Sequence, residues 1–402
     1  MVTHLVLAGG MSNELPYSFF QNEIYLNGWT QGAKPILPTN LLELEQAAKE
    51  QLDPQAYGYV AGAAGTGRTH RANREAFDDW NLIQRVFVDV EKRDWSTNIL
   101  GTDLPAPLLL GPVGVQTIVH PEGELASAKA AAAAGIPFIH STAATHSIEQ
   151  VGQANGDGPR WYQLYWPRER EVAASFVQRA EAAGYSALVV TLDTFMMGWR
   201  PTDLDTAYLP FLQGKGIQNY LTDPAFMAGV PEGSTDDVPI FRWSLLFGNP
   251  TLTWDDLPWL REQTKLPIIL KGVISADDAK HARDAGVDGL ICSNHGGRQL
   301  DGGVAALRAL PELVAAVDGS MPVLFDSGIR SGADMLKALA LGAAAVLLGR
   351  TYVYGLGLAG QAGVEHVIRT LLGDFDVSAA MAGVTNLSEV NREILRPSNA
   401  TR

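Results

Sequence analysis

One pattern recurs eight times between about residues 105 and 350: a short apolar run, then polar or glycine residues, and in most cases a helix-like stretch. The runs are continuously apolar, which is typical of parallel strands that are buried on both faces. Eight strand–helix units over about 250 residues predict an α/β fold, a (β/α)8 TIM barrel. The runs are residues 105–112, 136–142, 160–166, 187–193, 266–272, 288–297, 321–328 and 344–350.

The stretches between the runs support this assignment. Residues 122–135, 168–184, 275–286 and 331–342 have helical composition and each ends in glycine, the usual residue after a helix. A doubly wound sheet is the alternative fold, and two Gly-x-Gly-x-x-Gly motifs occur, at 62–67 and 355–360. Neither motif lies between a strand and a helix as a dinucleotide-binding motif does, so the barrel is favoured.

Two segments interrupt the repeat. We expect residues 1–34 to be an N-terminal extension, with a helical preamble continuing to about residue 100. Residues 200–253, after the fourth strand, contain several Pro and Gly and few helical signals, so we expect a long loop that acts as a lid or insertion. Residues 35–400 would then form one barrel domain.

Composition restricts the partners. The 402 residues carry a formal net charge of −14, which argues against nucleic acid and anionic membranes as partners. No apolar run approaches the roughly 18 residues that a membrane helix needs, and the N-terminus lacks the features of a signal peptide. The single cysteine, Cys292, excludes an intrachain disulfide and fits a cytoplasmic location. Nothing indicates a metal site.

Polar residues follow the seventh and eighth runs. Barrel enzymes build their sites at the carboxyl ends of the strands, and glycine-rich turns after the last two strands commonly bind phosphate. Here each turn adds an arginine, which is suited to bidentate phosphate contacts. The residues are Asp326, Ser327, Gly328, Arg330, Gly349 and Arg350.

The other strand ends carry groups suited to acid–base chemistry. An aspartate that hydrogen-bonds a histidine makes it a good general base, which is the arrangement expected of Asp193 and His295. Arg200 and Arg298 would bring two guanidiniums to the same mouth and indicate a carboxylate substrate. Lys271 could stabilise negative charge on a reduced ring, or form a Schiff base as in a lyase. The Ser, Thr and Gln side chains at the other ends could hydrogen-bond a flat heterocycle such as a flavin.

The motifs together resemble one enzyme family. SNHGGRQLDGG (293–303), YQLY (162–165), LKG (270–272) and FDSGIRSGADMLKALALGA (325–343) are similar to those of the FMN-dependent α-hydroxy-acid oxidase/dehydrogenase family. The resemblance extends over nearly the whole chain from about residue 35. It implies FMN as the cofactor and a small L-2-hydroxy acid as the substrate.

The resemblance also implies roles for individual residues. His295 would be the base that Asp193 orients, and Tyr165 would contact the substrate hydroxyl. Three residues would hold the substrate carboxylate, namely Tyr59, Arg200 and Arg298. Lys271 would stabilise the reduced flavin. The remaining cofactor-binding residues would be Pro112, Val113, Gly114, Ser141, Gln163, Thr191, Ser293, Asp326, Ser327, Gly328, Arg330, Gly349 and Arg350.

Two site residues that depart from the common pattern of this family, Gly114 and Ala143, bear on the substrate and the products. QNEIYLNG (21–28), GWRPTDLDTAYLPFL (198–212) and Gly114 resemble the lactate 2-monooxygenase branch, which implies lactate, O2 as acceptor and oxidative decarboxylation. Ala143 leaves room for a larger, even aromatic, acid, so an oxidase that releases H2O2 or a mandelate-type dehydrogenase is the alternative. A non-redox isomerase or Schiff-base lyase is the alternative of another class. Relatives suggest a homo-oligomer, a tetramer or octamer.

Overall fold

The computed structural model describes residues 15–398. Its centre is a closed barrel of eight parallel strands, in which the first and last strands pair through Leu108–Val346, Leu109–Leu347 and Leu110–Leu348. Each strand coincides with one of the eight apolar runs, with β8 extending a single residue beyond its run, so the predicted barrel is confirmed. The barrel strands are β4 (Leu108–Leu110), β5 (Phe138–Ser141), β6 (Arg160–Leu164), β7 (Leu188–Thr191), β8 (Ile268–Val273), β9 (Gly289–Cys292), β10 (Val323–Phe325) and β11 (Val346–Leu348).

Four short strands within residues 15–398 lie outside the barrel. A hairpin of β2 (Thr97–Ile99) and β3 (Thr102–Leu104) contributes Ile99 and Leu104 to the apolar cluster that fills the barrel. Trp161, on β6, reaches this hairpin by donating from Nε1 to Thr102 Oγ1 at 3.1 Å. The hairpin therefore closes the amino-terminal end of the barrel and leaves the carboxyl end for a site. The other pair is β1 (Trp80–Leu82) with β12 (Leu395–Pro397).

The core has two layers because the side chains of each strand alternate between the barrel interior and the surrounding helices. Leu109, Ile139, Trp161 and Ile269 belong to the inner cluster, and the alternate strand residues pack in the outer one. Burying both faces explains why the strands are continuously apolar.

The helices surround this barrel. Several end at a glycine with positive φ, as at Gly286 (71°) and Gly342 (107°), which confirms the predicted helix ends. They are α1 (Phe19–Gln31), α2 (Leu41–Gln51), α3 (Pro54–Ala61), α4 (Arg68–Glu75), α5 (Gly123–Ala133), α6 (Ile148–Asn155), α7 (Arg170–Ala182), α8 (Pro201–Asp205), α9 (Gln218–Leu221), α10 (Pro224–Met227), α11 (Asp237–Leu246), α12 (Leu257–Gln263), α13 (Ala276–Asp284), α14 (Ala306–Val317), α15 (Gly332–Ala340) and α16 (Arg350–Met381).

The segment 200–253 is more regular than the sequence suggests. It holds α8 to α11 and a 3-10 turn, Pro210–Gln213, where few helical signals were expected. Three of these elements begin at a proline, Pro201, Pro210 and Pro224, where the missing N–H and fixed φ suit the first helical position. Three of the prolines that indicated a loop are therefore helix starts.

The predicted N-terminal extension lies partly outside the described residues, which begin at Leu15. Its helix α1 packs against α16, where Arg369 pairs with Glu23 and stacks on Phe20. The backbone N–H of Ser18 donates to Asp376 at 2.9 Å. No helix between residues 15 and 398 has the length and hydrophobicity that crossing a bilayer requires.

Candidate active site

A cleft opens at the carboxyl ends of the barrel strands. Most of the predicted site residues line it, and the others contact that lining from behind. Of the predicted residues, the cleft is lined by Tyr59, Pro112, Val113, Gly114, Tyr165, Thr191, Arg200, Lys271, His295, Arg298, Asp326, Ser327, Gly328, Arg330, Gly349 and Arg350. Asp193, Ser141, Gln163 and Ser293 lie behind it, within hydrogen-bond distance of lining residues or of each other.

His295 and Asp193 form a direct pair in the cleft. Nδ1 of His295 lies 2.8 Å from Oδ1 of Asp193, and Thr194 Oγ1 donates to the same carboxylate oxygen at 3.0 Å. The histidine begins a short 3-10 turn with φ of 58°, and its backbone N–H donates to Ser293 Oγ at 3.1 Å. Because Asp193 engages Nδ1, Nε2 is the ring nitrogen left for the cleft.

The protonation states of this pair follow from its surroundings. Burial lowers the pKa of His295 below its ordinary value, with help from the charges of Lys271 and Arg200, although Asp193 acts in the opposite direction. Burial alone would raise the pKa of Asp193, but His295 and Lys271 outweigh it and the pKa is lowered. A neutral imidazole beside a carboxylate is a general base ready to accept a proton.

Two arginines lie beside this pair. Arg200 donates through Nε to the carbonyl of Arg298 at 3.1 Å, and the Arg298 guanidinium stands 5.3 Å from the ring centre of Tyr59. Burial and the like charges of Arg200 and Arg350 lower the pKa of Arg298 to about 9, so it stays charged at neutral pH. Two charged guanidiniums in one cleft form a site for an anion.

Lys271 lies near the end of β8, where it is almost fully buried. Its Nζ donates to Ser293 Oγ at 2.8 Å and pairs with Asp326 at 2.9 Å. Burial would lower the pKa of Lys271, but Asp326 and Asp193 outweigh it and the pKa is raised. The amine is therefore held as a cation, which can stabilise negative charge in the cleft.

The turns after β10 and β11 form the far end of the cleft. Gly328 and Gly349 line it, and Gly349 directly precedes α16. Arg350 donates to the carbonyls of Val60, Gly62 and Gly296 at 2.9–3.1 Å, and Arg330 pairs with Glu45 at 3.1 Å. Two glycines, a helix start and two guanidiniums lie together here, a combination suited to a phosphate.

The middle of the cleft is bordered by polar atoms that have no partner within the protein. Among the described residues, Gln163 Nε2 and Thr191 Oγ1 are buried without one. Gln163 is fixed in place, since its Oε1 accepts from Ser141 Oγ at 2.9 Å. Buried donors and acceptors without partners are costly, so their presence indicates a polar ring system bound between them. The residues present thus fit a flavin with a phosphate tail.

Gly114 is required by the packing of two strand-end loops. A methyl carbon placed on it would lie 2.8 Å from the carbonyl oxygen of Ala143 and 2.9 Å from its Cβ. The N–H of Val115 donates to that same carbonyl at 2.8 Å. The glycine thus lets the loop after β4 approach the loop after β5.

Several cleft residues were not identified from sequence. Thr194 contacts both His295 and Asp193, and Gln299 accepts from Arg200 and donates to the carbonyl of Asp193 at 2.8 Å. Thr194 directly follows the apolar run 187–193 and Gln299 lies within SNHGGRQLDGG, so their positions were an available signal. Glu45 pairs with Arg330 from α2, and no sequence pattern links the two. The apolar cover comes from Met197, Phe211 and Phe247.

The barrel and cleft together define a class of protein: a barrel enzyme that binds a phosphate-bearing heterocyclic cofactor next to a general base and an anion site. Comparison with known proteins places the chain within that class. The model of the family described as FMN-dependent dehydrogenase matches residues 48–397, and the chain belongs to this family. The expected family and its FMN cofactor are confirmed.

Individual relatives agree with this assignment. The chain is 42% identical over 385 residues to the FMN-dependent alpha-hydroxy acid dehydrogenase qulF of Penicillium citrinum, covering 94% of this chain and 96% of the relative. It is 43% identical over 355 residues to an L-lactate oxidase of Lysinibacillus sphaericus, covering 88% and 92%. The chain is an FMN-dependent oxidoreductase of the α-hydroxy-acid family.

Solved structures show the same fold. A mutant of an active chimera of (S)-mandelate dehydrogenase matches with a TM-score of 0.81 and 35% identity, over 90% of this chain and 99% of that one. A mandelate oxidase crystallised with (S)-4-hydroxymandelic acid matches with a TM-score of 0.80 and 37% identity, again over 90% and 99%.

Proposed function

We propose that this cleft oxidises an L-2-hydroxy acid, with L-lactate as the leading substrate and O2 as the electron acceptor, and that the keto acid is oxidatively decarboxylated before it leaves. The observation that carries the proposal is the meeting of the His295–Asp193 pair with Arg200 and Arg298 in one cleft. An acid held by two guanidiniums places its hydroxyl-bearing carbon beside a neutral imidazole.

FMN, when bound, supplies a two-electron acceptor. Its ring would lie against Pro112, Val113, Gly114, Ser141, Gln163, Thr191, Lys271 and Ser293, and its ribityl chain and phosphate against Asp326, Ser327, Gly328, Arg330, Gly349 and Arg350. Lys271 is well suited to balance the negative charge that electron transfer brings, because Asp326 and Asp193 keep it protonated. Its cationic state also argues against a Schiff-base lyase, which needs a neutral amine.

The protein residues handle the proton and the substrate's orientation. Nε2 of His295 accepts a proton from the substrate as its electron pair leaves, and Asp193 stabilises the imidazolium that forms. Arg200, Arg298 and Tyr59 hold the carboxylate. Tyr165 contacts the hydroxyl; burial raises the pKa of its phenol, so it acts as a neutral hydrogen-bond donor.

The proposed decarboxylation depends on retaining the keto acid. Segment 200–253 would serve as the lid, because Arg200, Phe211 and Phe247 line the cleft from it and Met197 lies just before it. If the keto acid stays in place, hydrogen peroxide formed beside it converts it to an acid one carbon shorter, CO2 and water. If it leaves first, keto acid and peroxide are the products.

A larger aromatic substrate is the second candidate. Ala143 presents only a methyl group to the cleft, and Phe211 and Phe247, with ring centres 6.0 Å apart, line it with aromatic surface. A phenyl side chain would pack well there. Several solved structures that match this chain are mandelate enzymes, which is consistent with this candidate.

Two measurements test the proposal. Anaerobic bleaching of the flavin by a panel of L-2-hydroxy acids should rank L-lactate first, whereas a higher kred/Kd for L-mandelate would replace it with the second candidate. Product analysis in air should then give acetate and CO2 rather than pyruvate and peroxide. Stoichiometric peroxide would make the enzyme a simple oxidase, and a failure of the reduced enzyme to react with O2 would make it a dehydrogenase.

We also propose that the chain forms a homo-oligomer, with a tetramer as the first expectation. Phe195, Met196, Trp199 and Leu300 are largely exposed, and exposed apolar side chains of this size favour an interface. Light scattering during size-exclusion chromatography measures the subunit number directly, and a monomer would refute the proposal.

A further inference from the structure

Asp203 is a buried carboxylate that none of the chemistry above uses. It lies on α8 and is only 7% exposed, yet both of its carboxylate oxygens lack a hydrogen-bond partner among the described residues. A buried charge without hydrogen bonds is unfavourable on its own, so its position needs a compensating reason.

The reason lies in the groups that surround it. Oδ2 of Asp203 is 4.0 Å from Nη1 of Arg200, which is too long for a hydrogen bond. Gly62 lies between Asp203 and Arg298, since a methyl carbon placed there would be 3.6 Å from Nη1 of Arg298 and 3.8 Å from Oδ1 of Asp203. Asp203 thus faces both guanidiniums without hydrogen-bonding either.

In this arrangement Asp203 places a negative charge beside the two arginines without occupying any of their N–H donors. The two guanidiniums repel each other, and burial with this repulsion lowers the pKa of Arg298 to about 9, an effect that Asp203 opposes. Burial raises the pKa of Asp203 itself, although Arg298 and Arg200 act in the opposite direction. Because Asp203 accepts from neither arginine, the N–H groups that do not already donate to protein carbonyls or Gln299 remain available for a second carboxylate.

We propose that Asp203 is an affinity-setting residue: its internal carboxylate balances one of the two guanidinium charges, so that the acid substrate and the keto-acid product bind more weakly and leave faster than two arginines alone would allow. The inference rests on the proposed function, because it assigns the arginine pair to the substrate carboxylate. With Asp203 the arginine pair carries about one net positive charge, which matches one bound carboxylate.

A merely structural role predicts the opposite result. If Asp203 only held the arginines in position, its loss would weaken acid binding. If it sets affinity, Asp203→Asn removes a like charge near the ligand and should strengthen acid binding by about tenfold, the order expected for a charge several Å away in a protein interior. The sign of the change therefore separates the two roles.

The experiment titrates the oxidised FMN-loaded enzyme with pyruvate and with its uncharged amide, following the change in the flavin spectrum. Asp203→Asn should bind pyruvate about tenfold more tightly, with little change for the amide. Asp205→Asn, on the same helix but exposed, is the matched control and should behave as wild type. Asp203→Ser, also uncharged, replaces the Asn variant if that one does not fold.

Unchanged or weaker pyruvate binding would overturn the inference, as would an equal increase in affinity for the amide. Its failure is distinguishable from failure of the proposed function. Anaerobic flavin reduction by L-lactate tests the function, whereas the titration tests only the charge at residue 203. In air, tighter retention of the keto acid should keep decarboxylation at least as complete as in the wild type, and a lower decarboxylated fraction would count against the inference.

Discussion

Nδ1 of His295 lies 2.8 Å from Oδ1 of Asp193, although the two residues are 102 positions apart in the chain. The barrel brings them together, because β7 and β9 end on the same face with β8 between them. Thr194 contacts both side chains and helps to fix their orientation. This pair is suited to the proton abstraction that we propose for the cleft.

Replacing His295 by Gln should remove the base while leaving the cofactor bound. The rate of anaerobic flavin reduction should fall by at least about 100-fold, the usual contribution of a general base. Stopped-flow absorbance gives the rate, and the flavin-to-protein absorbance ratio reports cofactor content. His281→Gln, at an exposed position of α13, should leave both values unchanged. Rapid reduction in His295→Gln would rule out its role as base.

The pH profile should reflect the electrostatics of the same pair. Burial lowers the pKa of His295, so kcat/KM should rise with pH through a value below that of an ordinary histidine and then level off. Asp193 raises that pKa, so Asp193→Asn should move the rising limb to lower pH. It should also lower the plateau, because the imidazolium loses its stabilising charge. A limb displaced to higher pH would contradict this account.

Arg330 should contribute to FMN retention. A charge-assisted hydrogen bond is worth about 1.5–3 kcal/mol, so Arg330→Met should weaken FMN binding by roughly 10- to 100-fold. Fluorescence of flavin released on dilution measures the dissociation constant. Arg308→Met, which breaks a surface pair with Asp79, is the matched control. Equal retention by both variants would mean that no phosphate binds near Arg330.

Gly114→Ala should strain the two loops that meet at this glycine. The added methyl would lie 2.8 Å from the carbonyl oxygen of Ala143, so we expect a loss of about 1–3 kcal/mol in the free energy of unfolding. Displacement of the loops should also raise the peroxide released per O2 consumed. Gly28→Ala, whose nearest contact would be 3.6 Å, is the control. If neither the free energy of unfolding nor the peroxide released per O2 changed, both roles assigned to Gly114 would be ruled out.

The sequence predicted the barrel well because each strand is a local signal: a continuous apolar run such as 188–191 needs no distant partner to be recognised. It also predicted the residues at the strand ends, since the carboxyl ends of barrel strands must meet. The short helices of 200–253 were missed because elements of four or five residues, such as α8 and α9, show too little periodicity. Tertiary contacts stabilise them, for example the T-shaped contact between Tyr220 and Phe226.

Partners from distant elements were also missed. Glu45 and Arg330 are 285 positions apart, and an ordinary acidic residue on an amphipathic helix gives no indication of its partner. Asp203 lies within a quoted motif, but only its burial without hydrogen bonds distinguishes it from its exposed neighbour Asp205. Such relationships depend on the packed structure, which a single sequence does not contain.

Rapid anaerobic mixing of the FMN-loaded enzyme with L-lactate and D-lactate tests the central claim most directly. The arginine pair and His295 fix the acid in one orientation, so the account predicts fast bleaching of the flavin by the L enantiomer and none by the D enantiomer. If the flavin stayed oxidised with L-lactate and with the other L-2-hydroxy acids of the panel, or if both enantiomers bleached it equally, the assigned roles of these residues would be contradicted.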